Sequence, residues 1–177
     1  MIRPMALALA SALMFASCAS DERVDLIAVS YGIADKLIER SNGRIERDSP
    51  IVYTPFVPVG SLEQSTKLGH ILAEESASRF VQRGYPVVEV RLREGIAVKP
   101  GGPFVLSDDA REVAKRVLAK AALVGSYAAT NRYVLLNVRL IDVSNGIVLA
   151  SDDTTIRIGS DELQLIGGKA SISLYGW

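Results

Sequence analysis

The sequence predicts an α/β chain of the α+β type, in which a mixed β-sheet carries helices mainly on one face and ends in an antiparallel hairpin. Three observations carry that expectation. Residues 121–157 contain three β-type runs in succession. The segments before them alternate amphipathic helical patterns with short strand-like runs. Asn145-Gly146 divides the last two runs, and both residues tolerate the positive φ that a tight turn requires. Alternating helices and strands favour parallel pairing through crossovers, whereas a hairpin is antiparallel by construction.

Residues 1–17 contain one basic side chain, Arg3, followed by an apolar run over residues 5–16. That run is too short to span a bilayer and reads as a secretory signal. It ends at Phe15-Ala16-Ser17-Cys18, with small residues just before the chain's single cysteine. The arrangement resembles the lipobox of bacterial lipoproteins, with Phe15 where leucine is usual. The resemblance implies cleavage before Cys18 and conversion of its thiol to a diacylglycerol thioether. The other reading is a signal peptide cleaved at a nearby small residue, which leaves Cys18 as a free thiol. With ~0.8 kcal/mol per buried CH₂, two or three acyl chains anchor a protein far more firmly than one. Ala19, where an aspartate would retain a lipoprotein in the inner membrane, implies by the same resemblance the outer membrane, at its periplasmic face.

Residues 18–177 carry 19 basic and 20 acidic side chains, because Arg3 is the only charged residue before them. This near-neutral balance offers no electrostatic footprint for nucleic acid. One cysteine excludes an internal disulfide, and no later stretch is long and apolar enough for a transmembrane helix. The expected division is a signal peptide over 1–17, a short lipid-anchored tether over 18–23, one domain over 24–158, and a C-terminal extension over 159–177. That length suits one domain with a sizeable core.

Within the domain, Leu26, Ile27, Ile33, Ala34, Leu37 and Ile38 recur at helical spacing over residues 24–40, and Asn42-Gly43 breaks the helix. Residues 51–56 read as a strand, with Pro55 and Pro58 placing a loop behind it. Ser61 with Gln64 forms a capping box for a long helix ending at Arg83-Gly84, and Pro86 forbids continuation. Residues 87–92 alternate as a strand, and Pro100-Gly101-Gly102-Pro103 demands a turn. Ser107 caps a third helix, with Asp108 and Asp109 in the first turn where the helix dipole favours negative charge. In the next block Val134, Leu136, Val138 and Leu140 alternate with Tyr133, Leu135, Asn137 and Arg139, which gives a strand with one buried face. A two-residue loop at Asn145-Gly146 would set Arg139 opposite Asp152 as a cross-strand ion pair. A longer loop with Gly146 in a bulge shifts the register by one.

The chemistry-bearing residues do not converge. His70 is the only histidine and has no nucleophile motif beside it, so it reads as a structural side chain. One histidine and an acylated cysteine make no zinc site, and Asp108-Asp109 and Asp152-Asp153 lack calcium-loop spacing. The first pair reads as helix-start chemistry and the second as strand surface. Gly101-Gly102 lacks the lysine of a phosphate loop, and Glu74 and Glu75 read as a solvated helix face. The expectation is therefore no catalytic residue, no cofactor and no metal.

Taken in order, Gly84-Tyr85-Pro86-Val87-Val88-Glu89-Val90-Arg91, Lys99-Pro100-Gly101-Gly102, Leu123-Val124-Gly125-Ser126-Tyr127, Asn137-Val138-Arg139-Leu140-Ile141-Asp142, Asn145-Gly146 and Val148-Leu149-Ala150-Ser151 resemble the FlgO family of outer-membrane lipoproteins. The likeness covers about residues 26–158 and includes the preceding signal and cysteine. It implies an accessory protein of the flagellum, associated with motility and placed near the base of the filament. More distantly the domain looks like units of the curli-secretion lipoprotein, the penicillin-binding-protein activator lipoproteins and the N-terminal domain of TolB. Those relatives bind partners and are not enzymes, a fold-level analogy. The implied alternative is activation of a peptidoglycan synthase or a part in a secretion assembly. Expected partners are the membrane, through the lipid, and an envelope or flagellar protein held at a sheet edge or hairpin tip. A homo-oligomer formed through a strand edge is a further option.

Overall fold

Helix α1 (Leu26–Ser41) starts where Asp25 turns its carboxylate back to accept from the Ala28 amide at 2.9 Å. It stops where Asn42 takes the left-handed conformation, φ 51°. The elements that follow are β1 (Ile51–Tyr53), β2 (Val57–Pro58), α2 (Lys67–Gln82), β3 (Val87–Glu89) and α3 (Asp108–Arg116). After them come β4 (Ala121–Ala129), β5 (Tyr133–Asp142), β6 (Val148–Arg157) and α4 (Ser160–Leu165). The computed structural model describes residues 24–60, 65–90 and 108–167. Cys18, Ser61, Gln64, Ser107 and the Pro100–Pro103 turn lie outside those residues.

The strands form one sheet in the order β3-β1-β4-β5-β6, with β2 beside β4. β1 runs parallel to β3 and β4, β2 runs parallel to β4, and β4-β5-β6 is an antiparallel meander. The mixed sheet is the one the sequence predicts. On one face, α1 and α2 bury Ile33, Leu37, Leu68, Leu72 and Phe80 against Leu123, Tyr127, Leu136, Val138 and Leu140. The other face carries α3, whose Val113 and Ala114, together with Val117 just after the helix, meet Val52, Ala122, Val124 and Ile141. Covered on both sides, β4 is buried from Ala121 through Tyr127, which is why it reads as a near-continuous apolar run. Each fully buried large apolar side chain here contributes about 1.5–3 kcal/mol.

Several local expectations change. The strand expected over 51–56 breaks after Tyr53, because Phe56 leaves the ladder and donates its N–H to the Gly69 carbonyl of α2 at 3.1 Å. Phe56 is fully buried. A Cβ on Gly69 would lie 1.9 Å from the Phe56 carbonyl oxygen, and a Cβ on Gly125 2.6 Å from its ring. The two glycines therefore make the seat in which Phe56 sits. Pro58, expected in a loop, belongs to β2, which pairs with β4 alone and so loses nothing by the missing N–H. Helix α2 is capped by Thr66, whose hydroxyl accepts from Gly69 N at 3.2 Å, so its start lies later than a cap at Ser61 implies. Of the strand expected over 87–92, Val87–Glu89 form β3 and the Val90 amide still donates to Tyr53, while residues 91 and 92 lie outside the described residues. Helix α4 falls in the stretch expected as a C-terminal extension, and it brings Leu163, Leu165 and Ile166 against the main core.

At the end of α3, Leu118 adopts φ 54°, and the Ala119 amide closes back on the Ala114 carbonyl at 2.8 Å. This is the helix-ending geometry in which glycine is preferred. Leu118 occupies it with 76% of its surface exposed.

The hairpin takes the longer loop. The Asp142 amide donates to the Ile147 carbonyl at 2.8 Å, the Gly146 amide donates back to Asp142 at 2.9 Å, and Gly146 sits at φ 77°. Leu140 pairs with Ala150 while Ile141 pairs with Val148, so Leu149 is the extra residue of a bulge. The register is thereby shifted by one from the tight-turn alternative. Arg139 faces Ser151, and Asp152 moves to the inner face opposite Val138.

Candidate interaction surface

Two charged clusters fix α1 in place against α2 and against the β5-β6 hairpin, whose outer face stays exposed in part. In the first, Asp35 of α1 receives Arg79 Nε and Nη2 at 3.0 and 2.8 Å and Arg83 Nε at 2.7 Å, all from the end of α2 and the residue after it. Arg79 also lies 5.2 Å from the Tyr31 ring centroid, and Gln82 donates to the Tyr31 hydroxyl at 2.7 Å. The hydrogen bonds from Arg83 and then Arg79 hold the Asp35 carboxyl far below the usual carboxylate range.

In the second cluster Asp152 is only 2% exposed, not the strand-surface carboxylate the sequence implies. It receives Arg40 Nη1 at 2.6 Å and Lys36 Nζ at 3.4 Å from α1, and the Thr154 hydroxyl at 2.8 Å. The one-residue register shift is the cause, since it exchanges the two faces of β6 relative to β5. Arg40 also donates to the Ser151 carbonyl at 2.7 Å, and Arg44 donates to the Leu149 carbonyl. Both carbonyls belong to β6, the last strand of the sheet. Helix α1 thus covers the inner face of the hairpin, and with Arg44 from the turn after it caps the first half of the hairpin's outer edge.

The outer face is open at both ends. Near the Thr130 turn stand Tyr133 and Leu135, 45% and 53% exposed, and at the hairpin tip Ile147 and Val148, 57% and 40% exposed. Between them the face is polar, with Asn137 donating to Asp153 at 2.5 Å. The tip is held rigid. Asp142 accepts from the Ser144 hydroxyl and amide, and Asn145 Oδ1 accepts from the Ile147 amide at 2.8 Å. The Ser144 hydroxyl is the main reason the Asp142 carboxyl titrates below its ordinary value. Such a surface presents apolar side chains on a fixed frame, which suits docking to a protein partner. The sequence signal for it is the apolar character of Tyr133 and Leu135 within an otherwise outward-facing set.

His70 stands exposed on α2, its Nε2 2.9 Å from the Ser65 hydroxyl. Nothing in that contact excludes water from the pair. Glu74 is solvent-exposed, whereas Glu75 is half-buried. Among the described residues no group of histidine, cysteine or carboxylate side chains is placed to hold a metal ion. No described helix is long and apolar enough to cross a membrane.

The fold is similar to that of the C-terminal domain of LpoB from Salmonella enterica, with 15% identity, a TM-score of 0.53, and coverage of 76% of this chain and 100% of that one. The C-terminal domain of LpoB from Escherichia coli gives 12% identity, a TM-score of 0.52, and coverage of 75% and 98%. No curated protein sequence matches the chain. The family model described as FlgO protein matches residues 31–161, a span that contains all of the sheet.

Proposed function

The chain belongs to the FlgO family, and on that premise we propose that it is a non-enzymatic lipoprotein of the outer membrane that serves the flagellum as an accessory. Family membership is the observation that carries this reading. The lipid on Cys18 supplies location, at the periplasmic face, and the domain supplies contacts. The rigid, partly apolar hairpin β5-β6 is the surface offered to an envelope or flagellar protein, and the contribution to motility is anchoring or stabilising the filament. The tether of residues 18–23 is short, so the hairpin works close to the membrane.

A second reading is an activator of a peptidoglycan synthase, or a component of a secretion assembly. The fold likeness to the two LpoB domains favours it. The two readings separate in a deletion strain of the source organism, where swimming and filament number are scored beside cell-wall synthesis. Loss of swimming with normal wall synthesis supports the flagellar reading. Normal swimming with altered wall synthesis or secretion overturns it in favour of the second. Mass spectrometry of the purified protein tests the anchor: an acylated N-terminal cysteine is expected, and an unmodified N-terminus elsewhere removes the anchor.

A further inference from the structure

We propose that the second half of β6, residues 153–157, is a self-complementary edge through which two copies of this chain pair as antiparallel strands about a two-fold axis at Thr155. Such pairing is independent of which envelope partner the hairpin meets.

Sheet edges are ordinarily protected by short strands, prolines, bulges or covering groups. Among the described residues the other edges of this sheet show such devices: β3 spans three residues, and β2 contains Pro58. The first half of β6 has them too, in the bulge at Leu149 and in Arg40 and Arg44, which occupy the Ser151 and Leu149 carbonyls. Residues 153–157 have none among the described residues.

The direction of the free groups follows from the ladder. The Ile158 amide donates to Arg132 at 2.8 Å, so residue 158 is turned toward β5. Alternation along an antiparallel strand then turns 156, 154 and 152 toward β5, and 157, 155 and 153 away from it. The engagement of Ser151 by Arg40 from outside agrees with this phase. Asp153, Thr155 and Arg157 therefore present both N–H and C=O to the open edge, and their side chains share the exposed outer face.

A second copy laid antiparallel with Thr155 opposite Thr155 makes every outward-turned residue part of a hydrogen-bonded pair. In the same register Asp153 of each copy faces Arg157 of the other, so both charges meet an opposite charge, twice by symmetry. A C2 interface requires such self-complementarity, and this edge has it in side-chain charge as well as in backbone donors and acceptors.

The test uses the intact protein in detergent, followed by sedimentation velocity and disulfide trapping. A dimer is expected at micromolar concentration. Asp153→Arg or Arg157→Asp alone should raise its dissociation constant about tenfold, because opposite charges are replaced by like ones, and the double swap should restore it. Circular dichroism checks that each variant is folded. Thr155→Cys should yield a reducible dimer, since Cα atoms of such a pair lie about 5.5 Å apart, within disulfide reach. Leu135→Cys, one strand inward, should not, and the wild type controls for Cys18. A monomer at all concentrations overturns the proposal. So does a dimer indifferent to the charge swaps and not trapped at Thr155, which belongs to another surface. A protein that dimerises only after residues 168–177 are removed overturns it as well, because the chain's own end then occupies the edge.

Discussion

Replacing glycine by alanine within a helix ordinarily stabilises a protein by about 1 kcal/mol, and the structure predicts that Gly69→Ala reverses that sign. A methyl group at Gly69 would stand 1.9 Å from the carbonyl oxygen of Phe56. Both sides of the contact are backbone, so no rotamer change relieves it, and either α2 or the β1-β2 segment must move. Movement also strains the bond from the Phe56 amide to the Gly69 carbonyl. Overpacking of a fixed contact costs about 1–3 kcal/mol and a lost hydrogen bond about 1 kcal/mol. Set against the propensity gain, the net loss is about 2 kcal/mol, or about 4–8 °C in Tm for a domain of this size. Gly32 is the internal control: it lies in α1, and a methyl group there would meet nothing within 4 Å. Gly32→Ala should raise Tm by about 2–4 °C. Thermal unfolding followed by circular dichroism measures both. If Gly69→Ala melts at or above the wild type, the close approach of α2 to Phe56 is wrong.

Three further perturbations follow from local geometry. Gly146→Val should lower stability by about 1 kcal/mol or more, because a β-branched residue is penalised at φ 77°, and an unchanged Tm counts against the turn. Leu118→Gly should raise Tm, since it relieves about 1 kcal/mol of left-handed strain at an exposed site; a fall in Tm means the leucine side chain is held by a contact. Asp35 has a folded pKa below its unfolded value of about 4, so its stabilising effect is complete above that value and is lost as the pH falls through the folded pKa. Asp35→Asn should therefore melt below wild type at pH 7, with the gap narrowing under about pH 4; a gap that stays constant down to about pH 2 contradicts the pairing with Arg79 and Arg83.

Periodicity makes most of the fold legible. The spacing of Ile33, Leu37 and Ile38 and the alternation of Val134, Leu136, Val138 and Leu140 both report the buried face directly, and each is buried as expected apart from Ile38, which is half-buried; Ile27, placed on the same helical stripe by the sequence, is exposed. Features set by tertiary contact are not legible in the same way. The break after Tyr53 exists because Gly69 and Gly125 admit Phe56, three positions far apart in the chain. The burial of Asp152 follows from a bulge at Leu149, which moves the register by one residue, and no local residue preference distinguishes that register from its neighbour. The start of α2 at Thr66 is likewise tied to tertiary contact: its hydroxyl accepts from Gly69, whose carbonyl receives the Phe56 amide, and it also meets the hydroxyl of Tyr127. The interaction surface is half legible: Tyr133 and Leu135 stand out as apolar residues on the outward set, whereas the open edge of β6 emerges only from strand order.

The central claim is that a lipid-anchored domain of the FlgO family supports motility through contacts and not through catalysis. The most direct measurement is swimming of a deletion strain complemented with the wild-type chain, with Cys18→Ala, or with the hairpin variant Leu135→Ser/Ile147→Ser. The wild type should restore swimming, Cys18→Ala should leave the membrane fraction and fail, and the hairpin variant should stay in the membrane, remain folded and still fail. A deletion that swims normally, or a Cys18→Ala chain that restores swimming from the soluble fraction, contradicts the claim.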